Sequence, residues 1–141
     1  MKAQKRRATD DTSPSPRLVV LVGEAPEWQP ELAIVLTSEG YATGRVERLD
    51  AVLPMIDRGP VQALFVAAAP LAATDLLLLR RIREVSPRTA VVAVTKTPSD
   101  PDLKRAFESG ATAFLSWPAT NDAIRHAIDR GTLLASAASR P

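Results

Sequence analysis

Four apolar runs of strand length, LVVLV (Leu18–Val22), VQALFVA (Val61–Ala67), TAVVAVT (Thr89–Thr95) and ATAFLSW (Ala111–Trp117), are the strongest constraint on how this chain folds. An uninterrupted apolar run has no polar face to offer water, so it suits a strand covered on both sides, as in a parallel sheet. Helical sequence fills the gaps between the runs. Pro26 to Glu39 places Leu32, Ile34, Val35 and Leu36 at helical spacing and is ended by Gly40. A weaker strand, Tyr41–Val46, precedes a modest helix from Leu49 to Arg58, and Gly59-Pro60 breaks the chain. Further helices are expected over Asp75–Val85, Asp100–Ser109 (closed by Gly110) and Thr120–Ala135. Five strand–helix units with short connections predict the α/β class: a single doubly wound sheet of five parallel strands with helices on both faces.

The ends read differently. Residues 1–16 are polar, contain Pro and Ser, lack periodicity and are expected to be a disordered basic tail; residues 17–135 form the domain, and 136–141 are expected to fray. The tail carries Lys2, Lys5, Arg6 and Arg7 against Asp10 and Asp11, which accounts for the whole net charge of +2. The domain itself is balanced, which argues against a nucleic-acid face. With no cysteine there is no thiolate chemistry. No apolar run approaches the ~20 residues of a membrane span, and the basic start is followed by acidic and Pro-Ser sequence where a signal peptide would be apolar. A cytoplasmic location is expected.

In an open α/β sheet, ligands and chemistry gather beyond the carboxyl ends of the strands. Those ends read Gly23-Glu24-Ala25-Pro26, Ala67-Ala68-Ala69-Pro70, Thr95-Lys96-Thr97-Pro98 and Ser116-Trp117-Pro118. Together with Leu78-Leu79-Arg80-Arg81-Ile82-Arg83-Glu84, Glu108-Ser109-Gly110-Ala111 and Phe114-Leu115-Ser116-Trp117-Pro118, their order and spacing resemble the receiver domain of bacterial response regulators over residues 17–130. The resemblance implies a flavodoxin-like, receiver-type (βα)5 fold. It puts the acidic pair at Gly23-Glu24, the phosphoacceptor at Ala67, the Thr/Ser position at Thr95, the switch aromatic at Phe114 and the family lysine at Trp117.

Three of these positions depart from the family pattern. Ala67 offers no nucleophile, Gly23 removes one carboxylate and Trp117 removes the cation. One lone carboxylate, Glu24, is a poor site for a hard divalent cation, and no cation is aimed at a transferred phosphoryl group. Asp75 reads as a helix N-terminal residue rather than a substitute acid. The expectation is therefore a pseudo-receiver that works without phosphorylation, is not an enzyme, and needs no cofactor or metal. Its partner would be another signalling or polarity protein, or a second copy met through the last two helices.

Several side chains are candidates for contact. Trp117 is expected to fill the space vacated at Ala67, and Trp28 to share that rim, either as an interaction residue or as a staple of loop to helix. Lys104, Arg105 and Phe107 on the fourth helix, with Arg125 and Asp129 on the fifth, occupy the surface that receivers use for output. Phe114 is expected in the core, His126 on the surface, and Arg80, Arg81, Arg83 and Glu84 on a solvated helix face. Two rival readings are a small ligand in the alanine-lined pocket and a nucleic-acid accessory protein using the basic tail. Lys96 lies in no Gly-rich phosphate loop.

Overall fold

The computed structural model describes residues 18–23, 28–67, 72–96 and 101–138; the expected tail at 1–16 and residues 139–141 lie outside them. The chain runs β1 (Leu18–Val22), α1 (Gln29–Ser38), β2 (Ala42–Val46), a 3-10 turn (Leu49–Ala51) leading into α2 (Val52–Arg58), β3 (Ala63–Ala67), α3 (Ala73–Val85), β4 (Ala90–Thr95), α4 (Pro101–Ser109), β5 (Ala113–Ser116) and α5 (Asn121–Ala138). The five strands form one sheet in the order β2-β1-β3-β4-β5, with every pairing parallel. Every element sits where the apolar runs and helical spacing place it. The last helix continues to Ala138, beyond the expected end at 135.

Alternation along the strands divides the interior into two cores. Val19, Leu21, Phe65, Val92 and Leu115 face α1 and α5 and pack with Leu32, Leu36, Ile124 and Ile128. Val20, Leu64, Val66 and Val91 face α2, α3 and α4 and pack with Val52, Leu79, Ile82 and Leu103. The helix α5 lies close on the sheet because Gly131 faces it. A Cβ there would stand 3.1 Å from both the Ala90 methyl and the Thr112 hydroxyl.

Helix α3 starts as expected of its acid: the Asp75 carboxylate accepts the Ala72 N–H at 3.0 Å. Its expected charged face is interrupted. Arg80, Arg81 and Glu84 are exposed, and Arg81 pairs with Glu84 at 3.5 Å. Arg83 turns inward, half-buried, and donates to the carbonyls of Pro87 at 2.5 Å and Thr89 at 3.4 Å. Burial pushes its pKa below the ordinary arginine value. Charge patterning could not reveal this, because the alkyl stem of Arg83 is held by Gly110, at the far end of α4.

Gly110 closes α4 at φ +131°, and a Cβ there would lie 2.5 Å from Arg83 Cγ. The helix ends with the Gly110 N–H on the Phe107 carbonyl and the Ala111 N–H on the Ala106 carbonyl. Gly110→Ala combines backbone strain with this collision and should cost about 2 kcal/mol or more. Urea unfolding should show part of that loss recovered when Arg83→Ala is combined with it. An additive double mutant would mean that the two residues do not meet.

Candidate functional site

The carboxyl rim of the sheet is set by the last residues of β1, β3, β4 and β5. Ala67, the final residue of central β3, is half-buried and packs on the α1/α5 core, as does Trp117, the first residue after β5. The Trp117 N–H donates to the Thr95 carbonyl at 2.8 Å, and the Trp117–Pro118 peptide is cis. Thr95 is buried at the end of β4. Gly23 follows β1 and donates its N–H to the Val46 carbonyl at 2.9 Å. Glu24 lies outside the described residues, and so do Ala68, Ala69 and Pro70, which make up much of the wall of the expected alanine-lined pocket. Among the described residues no three His, Asp or Glu side chains converge as a metal site would require.

The two tryptophans separate. Trp28 is 5% exposed and belongs to the α1/α5 core with Leu32 and Leu36. Its carbonyl accepts the Leu32 N–H at 3.0 Å. Of the two expectations for Trp28, interaction residue or staple, its burial at the entry to α1 favours the staple. Sequence reading also passed over Gln29. It is 1% exposed, its Nε2 reaches the Gly23 carbonyl at 3.4 Å, and its Oε1 has no partner among the described residues. A glutamine beside a helix-opening proline carries no periodic signal that would betray burial.

A second feature lies where α4, β5 and α5 meet. A groove of about 700 Å³ is lined by Phe107, by the consecutive residues Thr112, Ala113, Phe114, Leu115 and Ser116, and on α5 by Ala123, His126, Ala127, Arg130 and Leu134. Phe114 is not a core residue. It is 46% exposed and meets Phe107, 39% exposed, edge to face with ring centroids 6.4 Å apart. The physical reason is that β5 is an edge strand, so its side chains facing α4 lack a neighbouring strand to cover them.

Lys104, Arg105, His126 and Asp129 are exposed on the same two helices. Arg125 is exposed but engaged within the fold: it pairs with Glu39 at the end of α1, at 3.2 Å, and with Asp122. Its ion pairs link α5 to α1 while leaving the side chain about half exposed. Among the described residues no helix is long and apolar enough to cross a membrane.

No family model matches the chain. It is 30% identical over 117 residues to the transcriptional regulatory protein GlrR of Escherichia coli, covering 83% of this chain and 26% of that protein. The chain thus spans about a quarter of the length of the curated relatives it matches. Among solved structures, it resembles a putative pilus assembly-related protein of Burkholderia pseudomallei, with TM-score 0.71 and 21% identity over 84% of this chain and 90% of that one. The chemotaxis response regulator CheY4 of Vibrio cholerae gives TM-score 0.67 and 14% identity over 83% of this chain and 99% of that one.

Replacing each tryptophan in turn by phenylalanine isolates the other as a probe. Iodide should quench half-buried Trp117 several-fold more than Trp28. Trp28→Ala should cost about 3–5 kcal/mol in urea unfolding, and Trp117→Ala less. Equal quenching, or the reverse order of stability loss, would contradict the two placements.

Proposed function

The chain is a receiver-like domain of the response-regulator fold, and from that premise we propose that it acts without phosphorylation, as a cytoplasmic protein-binding module of bacterial signalling. The observation carrying this reading is the residue at the end of β3. Ala67 has a methyl group where receiver chemistry needs a carboxylate nucleophile. Two further losses support it: Gly23 stands where the resemblance implies a carboxylate, and Trp117 where it implies a lysine that would neutralise developing phosphoryl charge. Acyl-phosphate formation needs the nucleophile, the metal-holding acids and the cation together, and substituting any one removes most of the rate.

What remains is recognition. The exposed Phe107–Phe114 pair is an apolar patch on a groove whose charged or ionisable lining residues are Arg130 and His126, a surface suited to protein contact. The partner would be another signalling or polarity protein, and the module would report its presence by binding rather than by a covalent state.

The test has two arms. Incubation with acetyl phosphate and Mg²⁺ should leave the intact mass unchanged, and capture of the partner from source-cell lysate should be the same with and without that treatment. Phe107→Ala combined with Phe114→Ala should lose the partner while the domain keeps its fold by circular dichroism, since both rings stand partly in water. A stable phosphoryl adduct on any aspartate of the chain would overturn the reading.

A further inference from the structure

The sheet has two edges, and they are built differently. β2 places Gly44 and exposed Arg45 within its five residues, two features that discourage another strand from pairing. β5 reads Ala113-Phe114-Leu115-Ser116, with no charge, proline or glycine to blunt it. Side chains on a strand alternate between faces, so a groove that touches all five consecutive residues from Thr112 to Ser116 runs along the backbone edge itself. On the inner side, the Trp117 N–H donates to the Thr95 carbonyl at 2.8 Å, continuing the ladder in which Ser116 stands opposite Thr95. In a parallel ladder every second residue bonds the same neighbour, so Leu115 and Ala113 bond β4 as Trp117 does, while Phe114 and Ser116 turn their N–H and C=O groups outward, into the groove.

We propose that the open edge of β5 takes up an extended, acidic segment of a partner protein as a sixth strand, in the groove between Phe107 and Arg130. Main-chain bonds to Phe114 and Ser116 would hold it, and its side chains would alternate between the two walls. One wall is the Phe107–Phe114 pair, which takes apolar side chains. The other is α5, where the charged or ionisable side chains lining the groove are Arg130 and His126, with no carboxylate among the lining residues. The recognised pattern is therefore alternating apolar and acidic.

Charge disfavours the other two occupants. The chain's own N-terminal segment brings Lys2, Lys5, Arg6 and Arg7 to a basic wall. A second copy pairing β5 with β5 across a two-fold axis would set Arg130 and His126 near their own equivalents. This inference rests on the protein-binding reading above and specifies the partner's chemistry.

Synthetic peptides of about eight residues test it: one alternating valine and glutamate, one alternating valine and lysine, and a glutamate peptide N-methylated on alternate backbone amides in both registers. Binding to the full chain is read by fluorescence anisotropy, and protection of β5 by amide hydrogen exchange. The valine–glutamate peptide should bind more weakly as salt rises and should slow exchange at Phe114 and Ser116. N-methylation should weaken it by about tenfold through lost main-chain bonds, and Arg130→Glu by about threefold to tenfold. Equal binding of the lysine peptide, binding without protection at the two amides, or no binding by any peptide would overturn the proposal. So would protection that grows with protein concentration alone, which would assign the edge to a second copy. A natural partner lost on replacing Phe107 and Phe114, while the two amides exchange freely in its complex, would keep the protein-binding reading and remove strand addition. A chain that gains a phosphoryl group yet protects β5 with the acidic peptide would do the reverse.

Discussion

Two-sided burial of a parallel sheet is the constraint from which the rest of this molecule follows. A parallel strand cannot turn one face to water as a hairpin sheet can, so each strand needs helices on both sides, and the crossovers supply them. Phe65 and Leu64 sit side by side on central β3, both fully buried, in opposite cores. With so few aromatic residues, those cores are made of Val, Leu, Ile and Ala, and close approach replaces bulk. Gly131 shows the principle: α5 lies on Ala90, Thr112 and Ala113 at a separation that leaves no room for a methyl group.

The same constraint creates the exposed features. A sheet that is closed on its faces is still open at its edges, where backbone groups lack a partner strand. At β2 the sequence answers this with Gly44 and Arg45. At β5 it leaves a short apolar strand flanked by α4 and α5, and the Phe107–Phe114 pair half in water. The rim at the carboxyl ends shows the opposite balance. Where a receiver concentrates charge, this chain has a methyl group at Ala67 and an indole at Trp117, both packed on the α1/α5 core. At the ends of β3 and β5 the described rim is packed with apolar groups, and apolar surface is exposed along the β5 side of the sheet.

Within this frame the ion pairs are accessory. Arg125 links α5 to Glu39 across the surface, and Arg81 pairs with Glu84 along α3, both with side chains substantially in water, where such pairs contribute little. Arg83 is different. It is half-buried, spans the α3–β4 turn by bonding two carbonyls, and carries Gly110 on its stem, so it couples the ends of two helices.

The sequence by itself determined the class, the element order and the parallel sheet, because apolar runs and glycine stops act over a few residues and need no distant partner. It also determined the absence of a nucleophile at Ala67, a matter of atom types alone. Tertiary structure decided which polar and aromatic side chains are covered. Trp28 is buried in the core that α1 shares with α5, and Gln29 against the turn after β1; Arg83 is claimed by a glycine 27 positions away in the chain, and Arg125 pairs with a glutamate just after α1. Phe114 reads as a core residue by its flanking apolar sequence but stands in water because β5 is the last strand of the sheet. Strand order is set by how the crossovers pack, not by any local run, so the edge and the groove along it emerge only when the chain is folded.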